Sequence, residues 1–305
     1  MLNLRKKGIL FLAILLVIGT LAACSNKDGK VADPGADKDK TTDISSDTGK
    51  DTPGGSAKEK LSGTITMAGS TSMEKLAKIA SEAFMEKYPD VMVSAEFIGS
   101  SAGIEAVLAG TVNIGNASRS LKDTEKSSGV VENIVAIDGI AIILDKNNKV
   151  TNLTKDQLIQ IFTGEVNNWS QLGGDSQPIV VVGREAGSGT RGAFEELLKI
   201  EEQCKYANEI NSTGGVMAKI ASTPGAIGYV SLDIVDDTVA AAKIDEVEPT
   251  EENIKAGSYL LSRPFVMATK GEISAQSKEV QVFFDYLNSD EGKELIKSIG
   301  LITID

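Results

Sequence analysis

Three short stretches of this chain combine glycine with hydroxyl side chains in one arrangement. They are Ala68-Gly69-Ser70-Thr71-Ser72, Ile98-Gly99-Ser100-Ser101-Ala102-Gly103 and Arg184-Glu185-Ala186-Gly187-Ser188-Gly189-Thr190. Each puts glycine where backbone must come close to a ligand, and Ser or Thr where a helix would begin. The first N–H groups of a helix lack partners within it, and the aligned peptide dipoles leave that end partly positive. Such ends attract anions, and short hydroxyls add neutral donors. Ser and Thr are also ordinary N-caps and Gly is common in turns, so one loop alone says little. Three in the same topological position point to a shared anion. Arg184 sharpens this reading, because a guanidinium fork matches the oxygens of a tetrahedral oxyanion.

Other chemistries fit these residues less well. The chain has no histidine, which removes Ser-His-Asp and Cys-His catalysis, histidine metal sites and imidazole proton shuttles. No clustered Asp/Glu metal motif is seen, so neither a metal nor any other cofactor is expected. Gly187-x-Gly189-x-x-Gly192 matches a dinucleotide fingerprint, but that pattern wants an acid ending a strand about 20 positions on. Residues 207–212 do not read as a strand end. No Lys follows the glycines as in a P-loop, and Ala186 stands where a G-x-S-x-G elbow needs its first glycine. The expectation is a binding protein, not an enzyme.

The loops need a scaffold, and the apolar pattern predicts one. Strands are expected at 64–68, 91–97, 112–115, 134–144, 178–182 and 225–230. Helices are expected from Met73 to Tyr88-Pro89 and at 104–108, 154–162, 191–200 and 280–299. Alternating strands and helices argue for doubly wound α/β, as two lobes. At 41% hydrophobic and 5% aromatic residues, the composition suits such a core.

The amino-terminal 60 residues read differently. Arg5, Lys6 and Lys7 precede a short apolar run, then Leu21-Ala22-Ala23-Cys24. Residues 1–24 thus read as an export signal. The segment resembles a bacterial lipoprotein signal, which implies cleavage before Cys24 and lipid on its sulfur. Residues 25–60, with eight acids and seven lysines, are too polar to fold and read as a disordered tether. The remaining cysteine, Cys204, then has no partner and reads as a packed thiol. Removing the leader, with three basic residues and no acid, takes the formal charge from −12 to −15. That surface argues against nucleic acid and against adhesion to anionic lipid. An anion must therefore be held by local geometry, not by the overall field.

From about Gly63 to the end, the chain resembles phosphate-binding proteins of the PstS type, the solute receptors of phosphate ABC transporters. The three loops carry the likeness. So do Ile114-Gly115-Asn116-Ala117-Ser118-Arg119, Phe162-Thr163-Gly164 leading to Trp169, Pro224-Gly225-Ala226-Ile227-Gly228-Tyr229 and Ser262-Arg263-Pro264. The resemblance implies a type II periplasmic-binding-protein fold, two α/β lobes joined by a two-crossing hinge. Lobe I would comprise 61–137 and 229–305, and lobe II 138–228. It implies a monomeric, lipid-anchored receptor outside the cytoplasm. Such a receptor would capture inorganic phosphate and pass it to permease subunits served by an ATPase. Sulfate, molybdate or tungstate is the alternative cargo. The implied donors are Ser70, Thr71, Ser72, Ser100, Arg184, Ser188, Gly189 and Thr190. Where family members carry an aspartate that accepts the phosphate proton, this chain has Ser118, followed by Arg119. Asp138 is the first candidate for that acceptor and Glu185 the second, while Arg119 would add positive charge.

Overall fold

A 12-residue apolar run with a single acid near its middle, Ile134–Asp145 (β5), organises the molecule. From Ile140 to Leu144 its side chains are buried on both faces, as expected for a strand covered by helices on either side. The computed structural model describes residues 60–304. The expected signal, the lipidation at Cys24 and the tether apart from Lys60 lie outside the described residues.

Upstream of β5 come strands Gly63–Gly69 (β1), Val91–Phe97 (β2), Ile114–Ala117 (β3) and Val130–Val131 (β4). Helices Glu74–Lys87 (α1), Ser100–Ala109 (α2) and Asp123–Ser127 (α3) lie among them. Downstream come Asn152–Leu153 (β6), Lys155–Phe162 (α4), Val180–Arg184 (β7), Gly189–Leu198 (α5), Asn208–Ile210 (β8), Thr213–Ala221 (α6) and Ala226–Ser231 (β9). The chain continues through Val239–Ala241 (β10), Lys243–Ile244 (β11), Glu251–Lys255 (α7) and Ser262–Lys270 (β12), and ends with Lys278–Asn288 (α8) and Asp290–Ser298 (α9). Among the described residues no helix is long and apolar enough to cross a membrane.

The main sheet runs β2-β1-β3-β12-β5-β9-β7-β8. Its flanks are parallel: β1 with β2 and β3, and β7 with β8 and β9. β12 and β5 run antiparallel between them. The first half of β5 pairs β12, with Asp138 opposite Arg263. Its second half pairs β9, with Ile140 opposite Ser231. The same strand thus serves two cores. Val135 and Ala136 pack with Ile65, Leu76, Phe84, Phe265 and Phe283, whereas Ile140 and Ile142 pack with Leu158, Phe162, Trp169, Phe194 and Tyr229. α1 shows how the first core closes. Leu76, Ala77, Ala80 and Phe84 form its buried face, and Pro89 keeps Tyr88 out of the helical region.

Several elements differ from the sequence reading, which also lacked α3, α6, α7 and the short strands β4, β6, β10 and β11. The single helix expected at 280–299 is two, because Ser289 is extended and its hydroxyl caps Gly292 N at 3.3 Å. The apolar period continues on both sides of that break and conceals it. β12 was not expected as a strand, since Arg263-Pro264 interrupts its apolar run, although Pro264 sits opposite Ile137 in the ladder. β8 was also missed. At the carboxyl end Ala242, Ile244, Ile254, Tyr259 and Leu261 pack in the core of Leu158 and Phe194.

Candidate functional site

The parallel strands aim their carboxyl ends at one crevice, where the hydroxyl loops meet. At the end of β1, Gly69 has φ 145°, and a Cβ there would lie 2.1 Å from the Asn116 carbonyl oxygen. Only glycine lets β1 and β3 run this close. Ser70 N then donates to Asn116 O at 2.8 Å, and the Ser70 hydroxyl donates to Ser118 Oγ at 2.8 Å. At the end of β2, Gly99 turns at φ 96° and α2 begins directly at Ser100, earlier than the 104–108 expected. Ser100 Oγ accepts from Ser118 N at 3.2 Å. At the end of β7, Ser188 caps α5, accepting from Arg191 N at 3.3 Å.

The third loop touches the first two. Ser72 and Thr190 hydroxyls lie 2.8 Å apart, and Ser101 N donates to Gly187 O at 3.1 Å. A Cβ on Gly189 would fall 2.3 Å from Ser100 Oγ and 2.8 Å from Ser118 Oγ. Ser70, Thr71, Ser72, Ser100, Ser118, Ser188, Gly189 and Thr190 therefore form one buried cluster, in which the Ser72–Thr190 contact joins residues 118 apart in sequence. Beside it opens a cleft of about 560 Å³ lined by Ser101, Arg119, Ser188 and Arg191, among others.

Arg184 is buried to 2% exposure beneath this cluster. Its Nε donates to Glu185 Oε2 and Ile210 O, its Nη2 to Glu185 Oε1, and its Nη1 to Thr213 Oγ1 at 3.0 Å. A guanidinium has five N–H groups, so one on each terminal nitrogen is left for a ligand. The backbone of Arg184 is clamped as well: its N–H donates to the Tyr229 hydroxyl, and Arg191 donates to its carbonyl. Glu185, the second acceptor candidate, is thus committed to Arg184 through both oxygens.

Asp138 and Arg119 part company. Asp138 Oδ2 accepts from Arg263 Nε at 3.0 Å and Nη2 at 2.9 Å, and Arg263 Nη1 reaches Ser118 O at 3.1 Å. Its Oδ1 is buried without a hydrogen-bond partner among the described residues. Burial pushes its carboxyl up to about 6; Arg263 pulls it back and the nearby Asp233 adds to the rise. Arg119, expected to add positive charge to the site, instead forks onto Glu125, at 2.7 and 2.8 Å. That pairing, with the Lys122 N–H, holds the Glu125 carboxyl low despite partial burial. Arg119 braces the loop after β3 and is neutralised there.

Two residues near the cluster escaped the sequence reading, Thr213 and Arg263. Arg263 was visible as part of Ser262-Arg263-Pro264, but nothing local tied it to Asp138. Among the described residues no group of three or more cysteine or carboxylate side chains converges as a metal site.

Two α/β halves, a central pair of antiparallel strands and a crevice lined by hydroxyl loops above a buried arginine define the class: a type II solute-binding protein. A family model described as a PBP superfamily domain matches residues 54–291, and the chain belongs to that superfamily. Over 251 residues it is 37% identical to the phosphate-binding protein PstS of Bacillus subtilis, covering 81% of this chain and 82% of that one. A Clostridium perfringens phosphate ABC transporter substrate-binding protein with bound phosphate superposes with a TM-score of 0.75 at 39% identity, over 80% of this chain and 100% of that one. An ABC-type phosphate transport receptor from Vibrio cholerae gives 0.67 at 33%, over 79% and 100%. Within the superfamily, this chain is a member of the PstS-type phosphate-binding family.

Proposed function

We propose that this chain captures inorganic phosphate between its two halves and delivers it to the permease subunits of an ABC importer, with no catalytic step of its own. The carrying observation is the convergence of seven Ser and Thr side chains and the buried Arg184 on one point of an otherwise acidic protein. Phosphate there is stripped of water, so each of its oxygens must meet a donor. Ser70, Thr71, Ser72, Ser100, Ser188 and Thr190, the Gly189 N–H and the two remaining Arg184 N–H groups supply them, and Ser118 ties the first two loops together. Asp138 Oδ1 is a buried acceptor without a partner among the described residues. It takes the phosphate proton, which sulfate lacks near neutral pH, and so sets the choice between them.

The halves close around the anion, and the closed form is what the permease reads. The first half is built on 61–137 with the terminal helices and the second on 138–228, joined by the packing of 242–261. The leader is cut before Cys24, lipid on that sulfur holds the protein to the outer face of the cell membrane, and residues 25–60 let the monomeric domain reorient. Calorimetric titration with phosphate and with sulfate tests the reading. Phosphate binds tightly, sulfate at least about a hundredfold more weakly, and Arg184→Ala loses phosphate binding while still folding. Equal affinity for both anions sinks the selectivity argument, and intact binding by Arg184→Ala sinks the site.

A further inference from the structure

We infer that Thr213 is a direct donor to the bound anion, carried by a fourth strand-to-helix loop of the same design as the other three. The inference rests on the phosphate reading above and extends its site by one residue and one structural element. β8 runs parallel beside β7 with Ile210 opposite Arg184, so its carboxyl end opens on the same crevice. The chain then reads Asn211-Ser212-Thr213-Gly214-Gly215, again hydroxyls and glycines where a helix starts. Ser212 caps α6 by accepting from Gly215 N at 3.2 Å, which leaves the adjacent Thr213 facing the cluster.

The contacts of Thr213 single it out. Its buried hydroxyl lies 2.9 Å from Thr71 Oγ1, 2.9 Å from Ser72 Oγ and 3.0 Å from Arg184 Nη1, and its N–H donates to Thr71 Oγ1 at 3.2 Å. It therefore touches three of the residues assigned to the anion, from two different loops. A hydroxyl has one proton and two lone pairs, and arginine has no acceptor. The Arg184 N–H must then occupy one Thr213 lone pair, and Ser72 or Thr71 can fill the other. The Thr213 proton then goes to whichever of Thr71 and Ser72 does not donate to it, and an anion seated among these hydroxyls takes that place as acceptor. Arg184 thus orients this hydroxyl as a donor, at the point where Thr71, Ser72 and Arg184 also direct theirs.

The demand for such a donor is real. Hydrogen phosphate offers three unprotonated oxygens with several lone pairs each, and a dehydrated lone pair left without a donor is costly. The supply is also rigid. α6 is anchored by Val216 and Ile220, which pack with Val182, Ala226 and Val230 under the sheet, so Thr213 is held in place before the ligand arrives.

Thr213→Val keeps the shape and removes the hydroxyl, whereas Thr213→Ser keeps the hydroxyl. Titrated with inorganic phosphate, Thr213→Val binds about tenfold to a hundredfold more weakly than wild type, and Thr213→Ser stays within about threefold. Melting without phosphate shows whether each variant folds, and Thr213→Ala replaces valine if its second methyl disturbs packing. A Thr213 acting only by holding Arg184 is distinguished by the pair of variants together. Thr213→Val still weakens binding about tenfold on an Arg184→Lys background if the hydroxyl meets the anion, and has no further effect there if it does not. Unchanged affinity in Thr213→Val overturns this inference alone. A wild-type protein that binds no phosphate overturns the proposed function itself.

Discussion

Asp138 and Asp233 oppose each other where the chain passes between its two cores. β9 ends at Ser231, opposite Ile140 of β5, and the single 3-10 turn Leu232–Ile234 that follows carries Asp233 close enough for its charge to act on Asp138. Asp138 Oδ1, Ser231 Oγ and both carboxyl oxygens of Asp233 have no hydrogen-bond partner among the described residues. Burial lifts Asp138 from 3.8 to about 6 and raises Asp233 too. The neighbouring charges are Arg263 on β12, which holds Asp138 Oδ2, and Lys75 on α1, which donates to the Asp233 carbonyl. Like charges held this near in a buried place repel, and each makes the other's charged form less favourable.

The folded protein therefore holds the Asp138 proton more tightly than the unfolded chain does. The stabilisation this represents is full below the unfolded value of 3.8 and is lost as pH rises through about 6. One pKa unit corresponds to about 1.4 kcal/mol, so the loss across that window is on the order of 3 kcal/mol. Asp233→Asn removes the like charge and supplies an amide that can donate to Asp138 Oδ1. Urea denaturation from pH 4 to pH 8 is the assay. The variant is expected to be more stable than wild type by roughly 1–2 kcal/mol at pH 8, with the gain fading toward pH 4. A difference that does not change with pH would refute the coupling of the two carboxyls.

Two further outcomes follow from the site. In Gly189→Ala the new methyl would sit 2.3 Å from Ser100 Oγ, and neither short serine can move away. Phosphate affinity in calorimetry is expected to fall at least about tenfold, with stability changed by only about 1 kcal/mol, as strain at one loop contact implies. Glu125→Gln strips Arg119, 5% exposed, of its charged partner and should destabilise by about 1–3 kcal/mol at pH 7 by urea titration. Because the Glu125 carboxyl is held below its ordinary 4.5, this stabilisation is present above that value. The gap between wild type and variant should close as pH falls through the folded value. A gap that persists in acid would show that the amide, not the charge, matters.

Much of the fold was legible because its signals are local. Alternation along Val91–Phe97, the apolar run of β5 and the spacing Leu76-Ala77-Ala80-Phe84 each lie within one element, and Tyr88-Pro89 ends α1 by its own sterics. β8 was illegible because three residues on a sheet edge carry too little pattern, and its loss hid Thr213 with it. β12 was obscured by Pro264, which a central strand rarely carries. The break at Ser289 lies inside an unbroken apolar period.

The same division runs through the site. Which residues can donate to an anion is a property of side-chain type and of the helix start, so the three hydroxyl loops and Arg184 could be read directly from the chain. Which charges remain available is a property of neighbours distant in sequence. Arg119 and Arg184 look alike in the sequence and each is forked onto a carboxylate, Glu125 or Glu185, yet only Arg184 also reaches the hydroxyl cluster, through Thr213. Asp138 likewise became a half-satisfied acceptor only when β12 laid Arg263 beside it, 125 residues away. Sequence alone determined the kind of chemistry this protein offers. Tertiary structure decided which groups are left to perform it, because a buried charge is spent on whichever partner folding brings within reach.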